Sequence, residues 1–265
     1  MERKKGILVV SFGTSYENTR RLTISAIENA IHNAYPDIPF YTAWTSRMIV
    51  AKLFKTTGEK IFNVAEALEQ MAKDEITDVY IQTTHVINGI EYDLLKEDAL
   101  KHRDSFASIS FGKPLLSSTE DMQKVVRIIA DEFSDILSYG NSETEALVLM
   151  GHGTEHHSNA GYAALDYMFK EMGYPNIHIG TVESYPSLDQ IFTLLNETPA
   201  KKIHLAPFMI VAGDHANHDM AGEDEDSWAS RCQAKGYDVI CHLKGLGEYP
   251  KIHDIFLEHL NEVLP

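Results

Sequence analysis

Three apolar runs, each stopping abruptly at a residue able to bind a metal, constrain this chain more than any other feature. They are ALVLMGH (146–152), IHIGTVE (177–183) and IHLAPFMIVAGDH (203–215). An apolar run bounded by turn signals reads as a strand buried on both faces, the kind found in parallel sheets covered by helices. The runs end at His152, Glu183 and His215, at intervals of 31 and 32 residues, about the length of one strand–helix–strand unit. Strands of an open parallel sheet point the same way, so their C-terminal ends share the edge where α/β proteins bind ligands. The three residues are therefore expected to converge.

Composition bounds the alternatives. A chain of 265 residues, 44% of them apolar, supports one large domain or two smaller ones. It has no apolar run of membrane-spanning length, so no membrane span is expected. The start, MERKKGILVVSFGTS, reads as a first core strand and not as a signal peptide, which predicts a cytoplasmic protein. Cys232 and Cys241 form no CxxC motif, so neither a disulfide framework nor a zinc knuckle is indicated. The net charge of −16 argues against nucleic acid as a partner, because phosphate binding needs a basic face.

Along the chain, strands alternate with helices. Strands are expected over 6–11, 40–44, 77–85 and 108–111, and helices over 17–33, 46–54, 64–73, after Asn88-Gly89, and over 121–137. Asn63 followed by Glu66 resembles a capping box, with Val64, Leu68 and Met71 on the buried side of the helix it opens. Residues 138–144 read as a polar linker. The same order then recurs. LVVSFGTS (8–15) resembles LVLMGHGT (147–154), YTAWTS (41–46) sits where IGTVES (179–184) sits, and VYIQTTHVINGIEY (79–92) lines up with IHLAPFMIVAGDHA (203–216). SFGKPLL (110–116) parallels HLKGLGEYP (242–250). The expected architecture is α/β: two similar domains, each a parallel sheet flanked by helices, with the active site in the cleft between them. The domains are set at 1–141 and 142–265, the second carrying the metal site.

The halves differ where chemistry would occur. Phe12 takes the place of His152, Thr45 that of Glu183, and Glu91 that of His215; ten of the thirteen histidines lie from His152 onward. A lone histidine at a strand end is usually a structural residue, but three ligand-type residues at three successive strand ends form a pattern. His85 also ends a strand and joins Glu91 as a candidate for contact with the ligand. His156, His157 and His218 lie in neighbouring loops, while His204 and His242 read as structural. The acidic residues 223–226 read as a helix start enriched in carboxylates. The chain contains no P-loop, no G-x-G-x-x-G fingerprint, no G-x-S-x-G elbow and no H-E-x-x-H. No nucleotide and no flavin are therefore expected.

VVSFGTSY, QTTHVINGIEY, KPLLSS, MGHGTEHH, VESYP and above all MIVAGDHANHDMAGEDEDSW together resemble the anaerobic cobalt chelatase family. These are the sirohydrochlorin cobaltochelatases of cobalamin synthesis, class II chelatases related to ferrochelatase. The resemblance runs through nearly the whole chain, in order. It implies two similar α/β domains, and Co²⁺ and sirohydrochlorin or a related tetrapyrrole as substrates. It matches His152 and His215 to the active-site histidines and Glu183 to the carboxylate that binds metal with them. Family members with signal peptides differ from this chain at its start.

The required chemistry fits those residue types. Metal insertion removes two pyrrole N–H protons and exchanges the metal's ligands. Neutral imidazole binds Co²⁺ or takes a proton, and three protein ligands leave coordination positions for ring nitrogens. Sirohydrochlorin carries eight carboxylates while the protein is acidic, so local donors must hold it. The backbone N–H groups of Gly13, Thr14 and Ser15 and of Gly153 and Thr154 are candidates, as are Arg47, Lys113 and Lys244. Two other readings of the same residues are a carrier that binds tetrapyrrole or metal without turnover and a metal-dependent hydrolase. The pattern is compatible with iron or nickel in place of cobalt and with a homo-oligomer.

Overall fold

The computed structural model describes residues 3–137 and 144–265. Eight strands are found among them: β1 (Lys5–Ser11), β2 (Phe40–Trp44), β3 (Asp78–Thr83), β4 (Ser108–Phe111), β5 (Glu145–Gly151), β6 (Ile177–Thr181), β7 (Lys202–Pro207) and β8 (Asp238–Cys241). They form two four-stranded sheets in the orders β2-β1-β3-β4 and β6-β5-β7-β8, with every pair parallel. The central strands are the most apolar. Ile7, Leu8, Val9 and Val10 of β1 and Leu147, Val148 and Met150 of β5 are fully buried, as a strand covered on both faces requires.

The first sheet carries α1 (Glu17–Leu22), α2 (Ile24–Ala34), α3 (Arg47–Thr57), α4 (Val64–Lys73) and α5 (Ile90–Leu100). The helix expected over 17–33 is broken at Thr23, whose backbone leaves the helical region and whose Oγ1 donates to the Thr19 carbonyl at 2.6 Å. Such back-bonding competes with the helical ladder. α3 starts after the Ser46 cap and runs three residues past the expected end, to Thr57, where the left-handed φ of +74° at Gly58 terminates it. The capping box before α4 is present in both directions at 3.0 Å, and Val64, Leu68 and Met71 are buried. After these come α6 (Thr119–Glu132), α7 (Ser134–Leu137), α8 (Ala160–Glu171), α9 (Leu188–Leu195), α10 (Trp228–Ala234) and α11 (Pro250–Asn261).

The internal repeat is realised bond by bond. The N–H of Thr84 reaches the Val10 carbonyl as that of Phe208 reaches Met150, and Gly112 bonds Ile81 as His242 bonds Leu205. Leu115 bonds His85 and Leu116 bonds Val86, just as Leu246 bonds Met209 and Gly247 bonds Ile210. The repeat also corrects one equivalence. Glu183 N–H bonds His152 O, and Ser46 N–H bonds Phe12 O, so Ser46 and not Thr45 stands in the place of Glu183. The fourth strand of the second sheet, β8, ends just before residues 242–250.

Two compact units result: one ends at Ser117 and takes back Pro250–Pro265, and the other spans Ser118–Tyr249. The expected division at 141/142, with residues 138–143 of the expected linker, lies outside the described residues; the two units group residues 118–137 and 250–265 differently from it. α6 packs against α8 of the second unit. α11 packs on β3 and α2 of the first unit and buries Ile252, Ile255, Phe256 and Leu260 there. Among the described residues, no helix is long and apolar enough to cross a membrane.

Candidate active site

Within the second unit, the order β6-β5-β7-β8 puts the topological switch point beside β5, where the connections leave in opposite directions. His152 follows β5, Glu183 lies two residues past β6, and His215 lies eight residues past β7. Each offers one ligand atom, and the three atoms lie within 4.8 Å of one another. The two imidazoles meet edge to face, with ring centroids 4.8 Å apart. All three side chains are solvent-accessible; Glu183 is the most exposed, at 54%. A two-nitrogen, one-carboxylate set open to solvent suits a divalent transition metal and leaves room for further ligands.

Local backbone structure sets this geometry. Glu183 N–H donates to the His152 carbonyl at 2.9 Å, which ties the turn after β6 to the turn after β5. Between them, Gly153 adopts a φ of +86°, and a Cβ there would lie 2.9 Å from the Ser184 nitrogen. Only glycine fits such a place without strain. His152 Nδ1 lies 2.8 Å from the Gly153 carbonyl oxygen and 3.5 Å from a Glu183 oxygen. A carbonyl can only accept, so Nδ1 carries the hydrogen and the lone pair available to a metal is on Nε2.

The approach to His215 differs from the sequence reading. β7 ends at Pro207, well short of the expected strand end, because its pairing with β5 stops once Phe208 N–H has bonded the Met150 carbonyl. Residues 208–213 are a loop pinned by the bonds from Leu246 and Gly247 and by Asn217 Nδ2, which donates to the carbonyls of Ala212 (3.2 Å) and Gly213 (2.7 Å). His215 then caps a π-helical turn, Ala216–Met220.

The other candidates divide between the units. In the first, Gly13 has a φ of +106° against the buried Trp44 ring, and Thr14 is buried, its Oγ1 accepting from Tyr16 N–H. Ser15 Oγ accepts from Lys52 Nζ at 3.2 Å, which adds a cation beside this loop. His85 lies two residues past β3, a strand that stops at Thr83 and not at His85. Its Nδ1 is 2.5 Å from Thr83 Oγ1, its buried Nε2 has no hydrogen-bond partner among the described residues, and burial lowers its pKa to about 4, which keeps the ring neutral. Glu91 lies in the first turn of α5, eight residues past β3, the offset His215 has from β7.

In the second unit, Thr154 N–H is spent on Asn159 Oδ1 at 3.0 Å, so it is not free to hold a substrate carboxylate. Of the suggested cations, Lys113 in the first unit pairs with Glu262 and Lys244 in the second with Glu132, while Arg47 in the first is exposed with Asp98 3.9 Å away. His156 is bonded to Ser158, and His218 donates to the Asp214 carbonyl. His204 and His242 are structural, in a chain where Glu145 bridges His204 Nε2 (2.8 Å) and Lys202 (2.8 Å) while His204 Nδ1 meets His242 Nε2 (3.0 Å). The acidic residues 223–226 are exposed and precede Ser227, the cap of α10, rather than lying in its first turn. Sequence reasoning missed Lys52, Asn159 and Asp219, whose Oδ2 is 2.7 Å from His215 Nδ1. The i,i+4 spacing of His215 and Asp219 was the available signal for the last.

Comparison with known proteins follows the same lines. A family model described as Cobalt chelatase (CbiK) matches residues 5–265. The chain is 40% identical over 261 residues to a protein of Salmonella typhimurium named sirohydrochlorin cobaltochelatase, covering 98% of this chain and 97% of that one. It is 34% identical over 259 residues to sirohydrochlorin cobaltochelatase CbiKC of Nitratidesulfovibrio vulgaris, covering 97% and 89%. Among solved structures, SirB from Bacillus subtilis with Fe³⁺ superposes with a TM-score of 0.66 at 14% identity, covering 98% of this chain and 95% of that one. The fold is thus chelatase-like, two parallel α/β sheets.

Proposed function

The chain belongs to the cobalt chelatase (CbiK) family, and from that premise we propose that it inserts Co²⁺ into sirohydrochlorin without ATP, using His152, Glu183 and His215. The observation that carries the reading is the gathering of two imidazoles and one carboxylate, with ligand atoms within 4.8 Å, at the switch-point edge of a parallel sheet. Relatives named sirohydrochlorin cobaltochelatase along nearly the full length support cobalt and that ring as the substrates. The absence of a P-loop motif supports the ATP independence.

In this reading the three residues hold Co²⁺ as a substrate, weakly enough to release it. Three protein donors leave sites that ring nitrogens enter one at a time, each displacing a bound ligand. Insertion frees two pyrrole protons. An imidazole nitrogen relieved of its metal, or the Glu183 carboxylate, takes them and passes them to water, since all three groups are solvent-accessible. The substrate's carboxylates are assigned to the first unit's loop Gly13-Thr14-Ser15, with Lys52 supplying a positive charge beside it in a protein whose net charge is −16. His85, neutral and buried, and Glu91 complete the substrate-binding set.

The test is an anaerobic absorbance assay of sirohydrochlorin with Co²⁺, Fe²⁺, Ni²⁺ and Zn²⁺ in turn. Many metallated rings per chain are expected with Co²⁺, and none above background in His215→Ala. One ring per chain would instead make the protein a carrier, and a metal that resists chelators in the isolated protein would favour hydrolytic chemistry.

A further inference from the structure

His215 is held by a different kind of partner from His152. The Nδ1 of His152 donates to a backbone carbonyl, whereas the Nδ1 of His215 is 2.7 Å from Oδ2 of Asp219. A carboxylate accepts and cannot donate, so the neutral His215 ring carries its hydrogen on Nδ1 and keeps its lone pair on Nε2. The backbone beneath the pair is firmly seated. Ala216 and Met220 are fully buried, and Ala221 N–H closes the π turn on the Ala216 carbonyl at 3.2 Å. Asn217 Nδ2 fastens the turn to the carbonyls before it, and the chain after the turn passes so close to it that a Cβ at Gly222 would meet the His218 carbonyl oxygen at 2.3 Å.

We infer that Asp219 is a positioning residue for cobalt: through His215 Nδ1 it fixes the tautomer and ring orientation that offer Nε2 to the metal. The inference rests on the ligand set proposed above. A neutral imidazole without such a partner divides between two tautomers and turns about its side-chain torsion, so it offers the correct donor only part of the time. A carboxylate on the opposite nitrogen removes both freedoms and makes the donor nitrogen more basic; loss of such a partner typically costs about 10- to 100-fold in metal affinity. Asp219 is already engaged with Nδ1 and lies outside the group of three whose ligand atoms converge, so its contribution is made through His215. A partly exposed pair (side chains 34% and 47% accessible) also suits a metal that must leave again, because water can replace either contact.

The test uses the full-length metal-free protein and two readouts independent of insertion. Nitrogen-15 NMR of the His215 ring reports its tautomer, and titration with CoCl₂, followed by calorimetry and by the visible absorption of bound Co²⁺, reports affinity. The wild type is expected to show the Nδ1–H form. Asp219→Ala is expected to mix the tautomers and weaken Co²⁺ binding about 10- to 100-fold with an unchanged melting profile. Asp219→Asn, which keeps the shape but not the charge, should fall between. In the insertion assay Asp219→Ala should raise the KM for Co²⁺ more than it lowers kcat. Wild-type affinity and an unchanged tautomer in Asp219→Ala, while His215→Ala loses Co²⁺, would overturn the positioning role and leave the ligand set standing. Wild-type affinity in His215→Ala would bring down the ligand set itself, and the role of Asp219 with it.

Discussion

Gly153→Ala tests whether the backbone turn that joins His152 to Glu183 is what assembles the site. At the φ of +86° a side chain is strained, and the new Cβ would lie 2.9 Å from the Ser184 nitrogen and from the Thr181 and Ser184 Cβ atoms. A left-handed conformation costs an L residue about 1–2 kcal/mol, and forcing a methyl into a packed place adds roughly 1–3 kcal/mol. The expected loss of stability is therefore about 2–5 kcal/mol. The atoms that must yield belong to the end of β6 and the turn bearing Glu183, so the ligand set should loosen with them. Gly13→Ala is the matched control, since it has a φ of +106° and a Cβ that would lie 2.5 Å from Trp44 Cε3, in the unit that holds none of the three proposed ligands. The chain has two tryptophans, Trp44 in one unit and Trp228 in the other, so urea unfolding followed by fluorescence in Trp228→Phe and Trp44→Phe backgrounds reads each unit separately. Gly153→Ala should destabilise the Trp228 unit and weaken Co²⁺ binding about tenfold or more. Gly13→Ala should destabilise the Trp44 unit and leave Co²⁺ affinity near wild type. A Gly153→Ala protein that loses stability yet binds Co²⁺ normally would refute the link between this turn and the ligand set.

Replacing His152 or His215 by Ala should abolish insertion while changing stability by less than about 1 kcal/mol, because both rings are partly exposed, His152 in the turn after β5 and His215 at the start of the π turn; a normal melting curve with normal turnover would contradict the assignment. Glu91→Gln and His85→Ala should slow insertion with Co²⁺ binding to the free protein unchanged, and wild-type kinetics in both would remove these two residues from the substrate-binding set. Burial, aided by the Lys170 cation, lowers the His178 pKa to about 4, so between an unfolded value of about 6.5 and that figure the unfolded chain binds a proton the native state refuses. Stability should therefore fall as pH drops through this window. The denaturation free energy of the wild type should fall about 2 kcal/mol further between pH 7 and pH 5 than that of His178→Gln. Equal losses would show that His178 does not carry the effect.

What the sequence by itself determined is the information carried by local pattern. The apolar runs around β1, β3, β5, β6 and β7 specify buried parallel strands, because a strand covered on both faces has no polar side to alternate. Their repetition in the same order specifies two similar sheets, and parallel direction then brings residues after β5, β6 and β7 to one edge without any knowledge of contacts. The Asn63–Glu66 box was readable because a cap is satisfied within four residues of chain. The tertiary structure decided everything that depends on which surfaces meet. An amphipathic helix records that it has an apolar face but not which sheet that face covers, so α6 and α11 changed units relative to the division at 141/142. A lysine is chemically available in a sequence, yet Lys113 and Lys244 are taken by Glu262 and Glu132, more than a hundred residues away. Thr154 N–H was equally plausible as an anion donor until the fold turned Asn159 onto it. The one-residue shift from Thr45 to Ser46, and the short β7 that makes a pinned loop and a π turn the support for His215, have the same cause. Strand ends are set where a neighbouring strand stops offering partners, and that is a property of the sheet and not of the strand.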